Sequence, residues 1–246
     1  MLKNIIEFKN IKKSFVNKQI YDGFNLSIKE NETITILGKS GVGKSLILKL
    51  LIGLEKIDSG EIIYNGENIS KYRESKYLKI RTEIAMLFQK GALFDSITVK
   101  DNLAYPLRMR TKLREKEIEK IVIEKLEMLS ISETLNLMPS ELSLGMQKRV
   151  ALARALTLNP KVILYDEPTA ALDPINVTLI NNMIQMLQKE FGITSLIVTH
   201  DIDSAFKVSD RISFLLDKKI LCTGTVKEIK ESKDIRIYNF INGIVE

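Results

Sequence analysis

Eight consecutive residues constrain this chain more than any others. Gly38-Lys39-Ser40-Gly41-Val42-Gly43-Lys44-Ser45 follows the pattern G-x-x-x-x-G-K-[ST]. It comes directly after the short apolar run Thr33 to Leu37, which reads as a strand, and it opens a helical segment that a glycine closes at Gly53. A triphosphate has to be surrounded by backbone N–H groups, so side chains must stay out of the turn and glycines must supply its unusual φ values. The helix that begins near Lys44 aims its positive end at the phosphates. Lys44 then bridges the β- and γ-phosphates, and the Ser45 hydroxyl is placed to hold Mg²⁺.

The rest of the chain supplies a sheet for such a turn. IIEFKNI, Ile5 to Ile11, alternates apolar and polar residues. SGEIIYNGENI, Ser59 to Ile69, reads as two short strands around the turn Asn65-Gly66. From about Tyr72 to Leu158 the pattern is mainly helical. Ile118, Ile121, Val122, Leu126 and Leu129 form an apolar stripe on a charged helix from Arg114 to Ile131, and a second helix runs from Leu144. Strands and helices then alternate: Val162 to Asp166, a helix from about Asn176 to Glu190, Ser195 to His200, and a helix from Ile202 to Val208. A hairpin is expected around Asp217-Lys218-Lys219, followed by a short helical tail to Glu246. Short apolar strands alternating with helices predict a parallel sheet covered on both faces. The 246 residues, 45% hydrophobic and 28% charged, suit one large globular domain or a domain with an insertion.

Composition excludes several classes. No stretch approaches the roughly 18 apolar residues of a bilayer span, and MLKNIIEFKNIKKSF lacks the apolar region of an export signal. The net charge of +6 comes from lysines spread along the chain rather than from a basic block, so nucleic acid is not the expected partner. A single cysteine, Cys222, rules out a disulfide framework and reads as a small buried hydrophobe in a reducing compartment.

Two further strand ends carry polar residues that a buried strand does not need. Val162 to Asp166 is followed by Glu167, and carboxylates there cost desolvation energy unless paired or metal-bound. Asp166 at the carboxyl edge of a parallel strand reaches the Mg²⁺ shell beside the phosphate turn, leaving Glu167 to orient and polarise the attacking water. His200, the one histidine, ends the next strand on the same edge. There it contacts the γ-phosphate or holds the water and Glu167 in line.

The order of motifs resembles that of ABC-transporter ATPases across nearly the whole chain. Leu142-Ser143-Leu144-Gly145-Met146 looks like the signature motif, usually L-S-G-G-Q, opening a helix that continues through Gln147-Lys148-Arg149-Val150. Gln89 follows Leu87-Phe88 as the Q-loop glutamine does, and Ala171-Leu172-Asp173 resembles the D-loop. The resemblance implies a P-loop NTPase core with an N-terminal antiparallel β-subdomain and an inserted α-helical subdomain. Residues 1–88 and 160–224 would make the core, about 89–159 the helical part and 225–246 a tail, all within one ABC ATPase domain.

It also implies ATP and Mg²⁺ as cofactors. Phe15 would stack on adenine, residues 38–45 and Leu46 would hold the phosphates, and Ser45, Gln89 and Asp166 would hold the metal. Glu167 and His200 would be catalytic. The subunits would pair head to tail, so that Ser143, Gly145, Met146 and Asp173 complete the partner's site. Leu144 in place of the first signature glycine would crowd the partner's nucleotide if its φ were unusual.

The run Phe88-Gln89-Lys90-Gly91-Ala92-Leu93-Phe94-Asp95-Ser96-Ile97-Thr98-Val99-Lys100-Asp101-Asn102 resembles Mla-type (Mce-associated) phospholipid transporter ATPases more closely. Ala92, Leu93 and Phe94 receive a helix of an integral permease, or Leu93 and Phe94 simply pack the helical part's own core. The Mla-type resemblance implies transport of phospholipid between inner and outer membranes. It further implies a peripheral position on the cytoplasmic face of the inner membrane, with a STAS-domain protein and an Mce lipid-binding protein as further partners. Another cargo, such as lipoprotein release or amino-acid import, and a non-transport ATPase switch stand as alternatives. The tail, with Ile235, Ile237, Tyr238, Phe240 and Ile241, either docks on a partner or caps its own core.

Overall fold

The computed structural model describes residues 3–16 and 18–244. Met1, Leu2 and the last two positions of the expected tail lie outside them. The chain opens with β1 (Asn4–Phe15), β2 (Lys18–Lys29), β3 (Thr33–Leu37), helix α1 (Lys44–Leu51), β4 (Ser59–Tyr64) and β5 (Glu67–Asn68). Four of these strands form an antiparallel sheet in the order β2-β1-β4-β5. Asn65 and Gly66, with φ of 49° and 84°, make the tight turn joining β4 to β5. The strand β2 was not foreseen. Its alternation breaks at Asp22-Gly23, where the partners step from Ile11–Phe24 to Lys12–Asp22, and β1 carries the compensating irregularity between Phe8 and Ile11. Asn10 and Gly23, both at positive φ, absorb these two bulges.

The second sheet positions the site. After α2 (Glu74–Glu83) come β6 (Ile84–Leu87), β7 (Val162–Asp166), β8 (Thr194–Thr199), β9 (Arg211–Leu216) and β10 (Lys219–Thr225), with the order β10-β9-β3-β8-β7-β6. Every pairing is parallel except β9 with β10. Alternate residues leave opposite faces, and both faces are apolar. Ile34, Ile36, Val162, Leu164, Leu196 and Val198 pack toward α1 and the antiparallel sheet. Ile163, Tyr165 and Ile197 face a second core. The register aligns Leu37 with Thr199, Asp166 with Val198 and Leu87 with Tyr165. The segments after β3, β6, β7 and β8 therefore emerge at one edge.

The second core is built largely by α3 (Val99–Arg110), α4 (Glu115–Met128), α5 (Leu144–Leu156) and α6 (Pro174–Phe191). Of the expected stripe, Ile118, Val122, Leu126 and Leu129 are buried and Ile121 is partly so. The middle of the chain is not helical throughout, because β6 joins the sheet edge and 88–98 has no regular structure. Asp173 caps α6 with Pro174 in its first turn, and Gly192 ends it in the left-handed region.

The chain closes through α7 (Ile202–Val208), α8 (Val226–Lys230) and α9 (Ile235–Ile241). Ile237 is buried, and the Phe240 ring meets Phe214 edge-on at 4.7 Å, so one face of the tail caps its own core. Ile235 and Tyr238 on α9 are exposed. Cys222 is half-buried against this third cluster, where burial raises its thiol pKa.

Candidate active site

The turn after β3 is held from below. The Tyr21 hydroxyl donates to the Gly43 carbonyl, and a Cβ at Gly43 would lie 2.5 Å from the Ile20 side chain. With φ of 106° and no room for a side chain, residue 43 must be glycine. Gly38 is equally confined, since a Cβ there would come within 2.7 Å of the Leu215 carbonyl oxygen. Lys44 is buried and donates to the carbonyls of Gly38 at 2.8 Å and Lys39 at 3.1 Å, so its ammonium lies across the mouth of the turn. Burial pulls its pKa down, and the carboxylates of Glu167 and Asp166 work against that.

The ends of β7 and β8 bring the remaining groups to this lysine and its neighbour Ser45. The Ser45 hydroxyl donates to Asp166 Oδ1 at 2.6 Å. Burial lifts the Asp166 carboxyl above the usual range, and the Ser45 bond opposes the rise. Glu167 Oε1 lies 3.8 Å from Lys44 Nζ. Its other oxygen accepts from the Thr199 hydroxyl at 2.7 Å and from the His200 backbone N–H. His200 Nδ1 is 2.9 Å from Glu167 Oε1, on an imidazole that is otherwise exposed. Glu167 has φ of 48°, a strained value for its residue type. Strand pairing ends as its N–H donates to the Val198 carbonyl.

Ser40, Gly41, Gly43, Lys44, Ser45, Leu46, Gln89, Glu167 and His200 line one cleft of about 300 Å³. Its lining is polar, with the Lys44 cation, the Glu167 carboxylate and the backbone donors of the turn, which suits a chain of phosphates. Lys39 is exposed beside it and Val42 packs beneath it. Phe15 does not line the cleft; it is exposed on β1 with Lys13 Nζ 4.6 Å above its ring. Ser143, Gly145, Met146 and Asp173 also stand away from its lining. Ser143 caps α5, accepting from the Met146 N–H at 3.3 Å. Leu144 is 40% exposed in the first turn of α5 and is absent from the left-handed region. The condition under which it would crowd a neighbour is therefore not met. Leu93 packs partly on the second core, whereas Ala92 and Phe94 are exposed and the Phe94 ring meets the exposed Tyr105 ring at a tilt, centroids 4.9 Å apart.

A family model described as ABC transporter matches residues 21–170. The chain belongs to this family. It is an ABC-type ATPase, and several relatives match along nearly its whole length. The "Intermembrane phospholipid transport system ATP-binding protein MlaF" of Haemophilus influenzae is 38% identical over 99% of this chain and 92% of its own. The "Probable ribonucleotide transport ATP-binding protein mkl" of Mycobacterium tuberculosis is 40% identical over 97% of this chain and 66% of its own. Among solved structures, a dimeric ATP-binding cassette in a post-hydrolysis state bound to ADP and Pi superposes with a TM-score of 0.82. It has 33% identity over 90% of this chain and 98% of that one. A cassette from Clostridium perfringens, part of the transporter complex cbiONQ, gives 0.85 at 33% identity, covering 96% and 94%.

Four residues of this ABC ATPase escaped the sequence reading. Tyr21 anchors the phosphate turn and Thr199 orients Glu167. Lys148, buried on α5, donates to the carbonyls of Pro168 and Ala170, each at 2.8 Å. Asn176 donates to Asp173 Oδ2 at 2.6 Å and packs beneath Gly145, where a Cβ would come within 2.3 Å of its oxygen. Such contacts join residues distant in sequence and leave little trace in it beyond a lysine amid an apolar helix face.

Proposed function

We propose that this chain is the ATP-hydrolysing subunit of a transporter that moves phospholipid between inner and outer membranes. One observation carries the cargo: the match to MlaF spans almost the full length of both chains, whereas the match to mkl leaves a third of that protein uncovered. The arrangement at the sheet edge supports the chemistry. Lys44 and the backbone N–H groups of 38–45 neutralise and orient the phosphates. Glu167 takes the proton of the attacking water. His200 Nδ1 and Thr199 fix its two oxygens, so the carboxylate faces the cleft in one orientation. Phe15, exposed on β1, is assigned to stack on the adenine.

The donor set suits Mg²⁺. The Ser45 hydroxyl and a desolvated Asp166 carboxylate are hard oxygen ligands, with the Gln89 side chain across the cleft. The bound ion would spread the charge of the transferring phosphoryl group.

Two copies pair head to tail, with Ser143, Gly145, Met146 and Asp173 of one facing the nucleotide of the other. The exposed ends of α5 and α6 and the dimeric cassettes of similar fold support this pairing. Residues 1–88 and 160–224 serve as the nucleotide core, 89–159 as the helical part and 225–246 as the tail. Exposed Ala92 and Phe94, next to Gln89, are where an integral permease helix docks; a STAS-domain protein and an Mce lipid-binding protein complete the assembly. No helix of the described residues is long and apolar enough to cross a membrane, which fits a peripheral place on the cytoplasmic face of the inner membrane.

The test has two parts. Lys44→Ala should abolish ATP hydrolysis and Glu167→Gln should bind ATP but accumulate as a dimer, read by light scattering. Retained turnover in the first, or only monomer with ATP in the second, would refute the site. The assembled transporter in vesicles should exchange labelled phospholipid with acceptor vesicles only with ATP. Transport of ribonucleotide instead would transfer the assignment to the mkl-like cargo.

A further inference from the structure

Lys148 is among the largest fully buried side chains of the molecule, at 1% exposure. A buried ammonium is costly unless its donors are satisfied, and a lysine offers three. All three find carbonyl oxygens of one turn: Pro168 and Ala170 at 2.8 Å each and Glu167 at 3.4 Å. Among the described residues no carboxylate forms an ion pair with it. The turn is shaped for this purpose. Glu167 and Ala171, at φ of 48° and 62°, bracket it in the left-handed region and make its carbonyls converge. Ser143, the cap of α5, stands five residues before Lys148, less than two turns of helix away. A second contact ties α5 to the chain just past this turn, since Gly145 rests on Asn176, which holds Asp173.

This contact joins groups that, in the head-to-tail dimer proposed above, serve different nucleotides. Ser143 and the start of α5 face the ATP of the partner. Glu167 faces the ATP bound by its own chain. We propose that Lys148 is a positioning residue that couples the two nucleotide sites, its ammonium transmitting engagement of α5 by the partner's ATP to the turn that carries Glu167. Neutral side chains of similar length fill the same space but cannot gather three carbonyls. The coupling rests on the dimeric reading and adds to it a route by which each site senses the other.

The experiment uses the full chain with three variants. Lys148→Met should bind a fluorescent ATP analogue at low protein concentration within about twofold of the parent, because the phosphate turn is untouched. Its steady-state hydrolysis should fall about tenfold or more, and its dependence on ATP should flatten from cooperative to hyperbolic. Lys148→Arg, which keeps the charge and several donors, should recover cooperativity. In the Glu167→Gln background, adding Lys148→Met should weaken ATP-driven dimerisation. If Glu167→Gln alone stays monomeric with ATP, the dimeric reading falls and takes this coupling with it. If Glu167→Gln dimerises but Lys148→Met keeps cooperative hydrolysis within about twofold of the parent rate, the coupling alone is refuted. Loss of analogue binding in Lys148→Met, matching its loss of hydrolysis, would also refute it by exposing a purely structural role.

Discussion

Replacing Gly145 by alanine should change sign with the residue beneath it. A Cβ at position 145 would stand 2.3 Å from Asn176 Oδ1 and 2.4 Å from its Cγ, far inside normal contact. Asn176 cannot swing away freely, because its Nδ2 donates to Asp173 Oδ2 at 2.6 Å while its backbone N–H donates to the same carboxylate. Overpacking of this kind costs about 1–3 kcal/mol, whereas glycine to alanine inside a helix gains up to about 1 kcal/mol. Gly145→Ala alone should therefore destabilise by about 1–2 kcal/mol, lowering Tm by roughly 2–4 °C per kcal/mol in a chain of this size. In an Asn176→Ala background the collision is gone and only the helix gain remains, so the same substitution should be neutral or stabilising. Thermal melts of the four proteins, without nucleotide, form a double-mutant cycle with an expected coupling of about 1–3 kcal/mol. An equal cost for Gly145→Ala in both backgrounds would refute the argument that Asn176 is why this position is glycine.

Other outcomes follow from the same geometry. Leu144→Gly should leave ATP turnover within about tenfold, since Leu144 is a half-exposed first-turn residue with ordinary backbone; complete loss of activity would show that its side chain is needed. Burial raises the Asp166 carboxyl pKa despite the Ser45 bond. The stability it contributes is thus full below the unfolded value of about 3.9 and is lost as pH rises through the folded one. Asp166→Asn should consequently raise the Tm of the nucleotide-free protein at pH 7 while abolishing hydrolysis, and a lowered Tm would contradict this. The Arg236 side chain and backbone N–H hold the α9 cap, Asp234, at about 2. Its contribution should persist above the unfolded value of about 3.9 and fade only as pH falls through that lower one. An NMR titration of the carboxyl with an ordinary midpoint would count against the cap.

The residues assigned to the chemistry were legible because their types are out of place. Carboxylates, a histidine and a glycine-lysine turn at the ends of buried strands have no packing reason to be there, and Lys44, Asp166, Glu167 and His200 indeed meet at one sheet edge. Strands with short, mainly apolar runs, such as β3, β7 and β8, were equally plain. What stayed hidden depends on tertiary approach. The strand β2 loses its two-residue period to the bulge at Gly23, and β6 is too short to register against the helical pattern around it. Lys148 and Asn176 look like solvated residues until α5 meets the turn after β7.

The Tyr21 hydroxyl on the Gly43 carbonyl has an effect that reaches past the strand on which it sits. The phosphate turn is clamped between β2 and the end of β9 before any nucleotide arrives, with Ile20 on one side and the Leu215 carbonyl on the other. Little conformational freedom is left in it to be surrendered at the moment of capture, so the ordering cost falls on folding rather than on affinity. The antiparallel sheet is in that sense the seat of a rigid receptor. Loosening it at a point remote from every reacting atom would make ATP bind more weakly without removing a single contact to it.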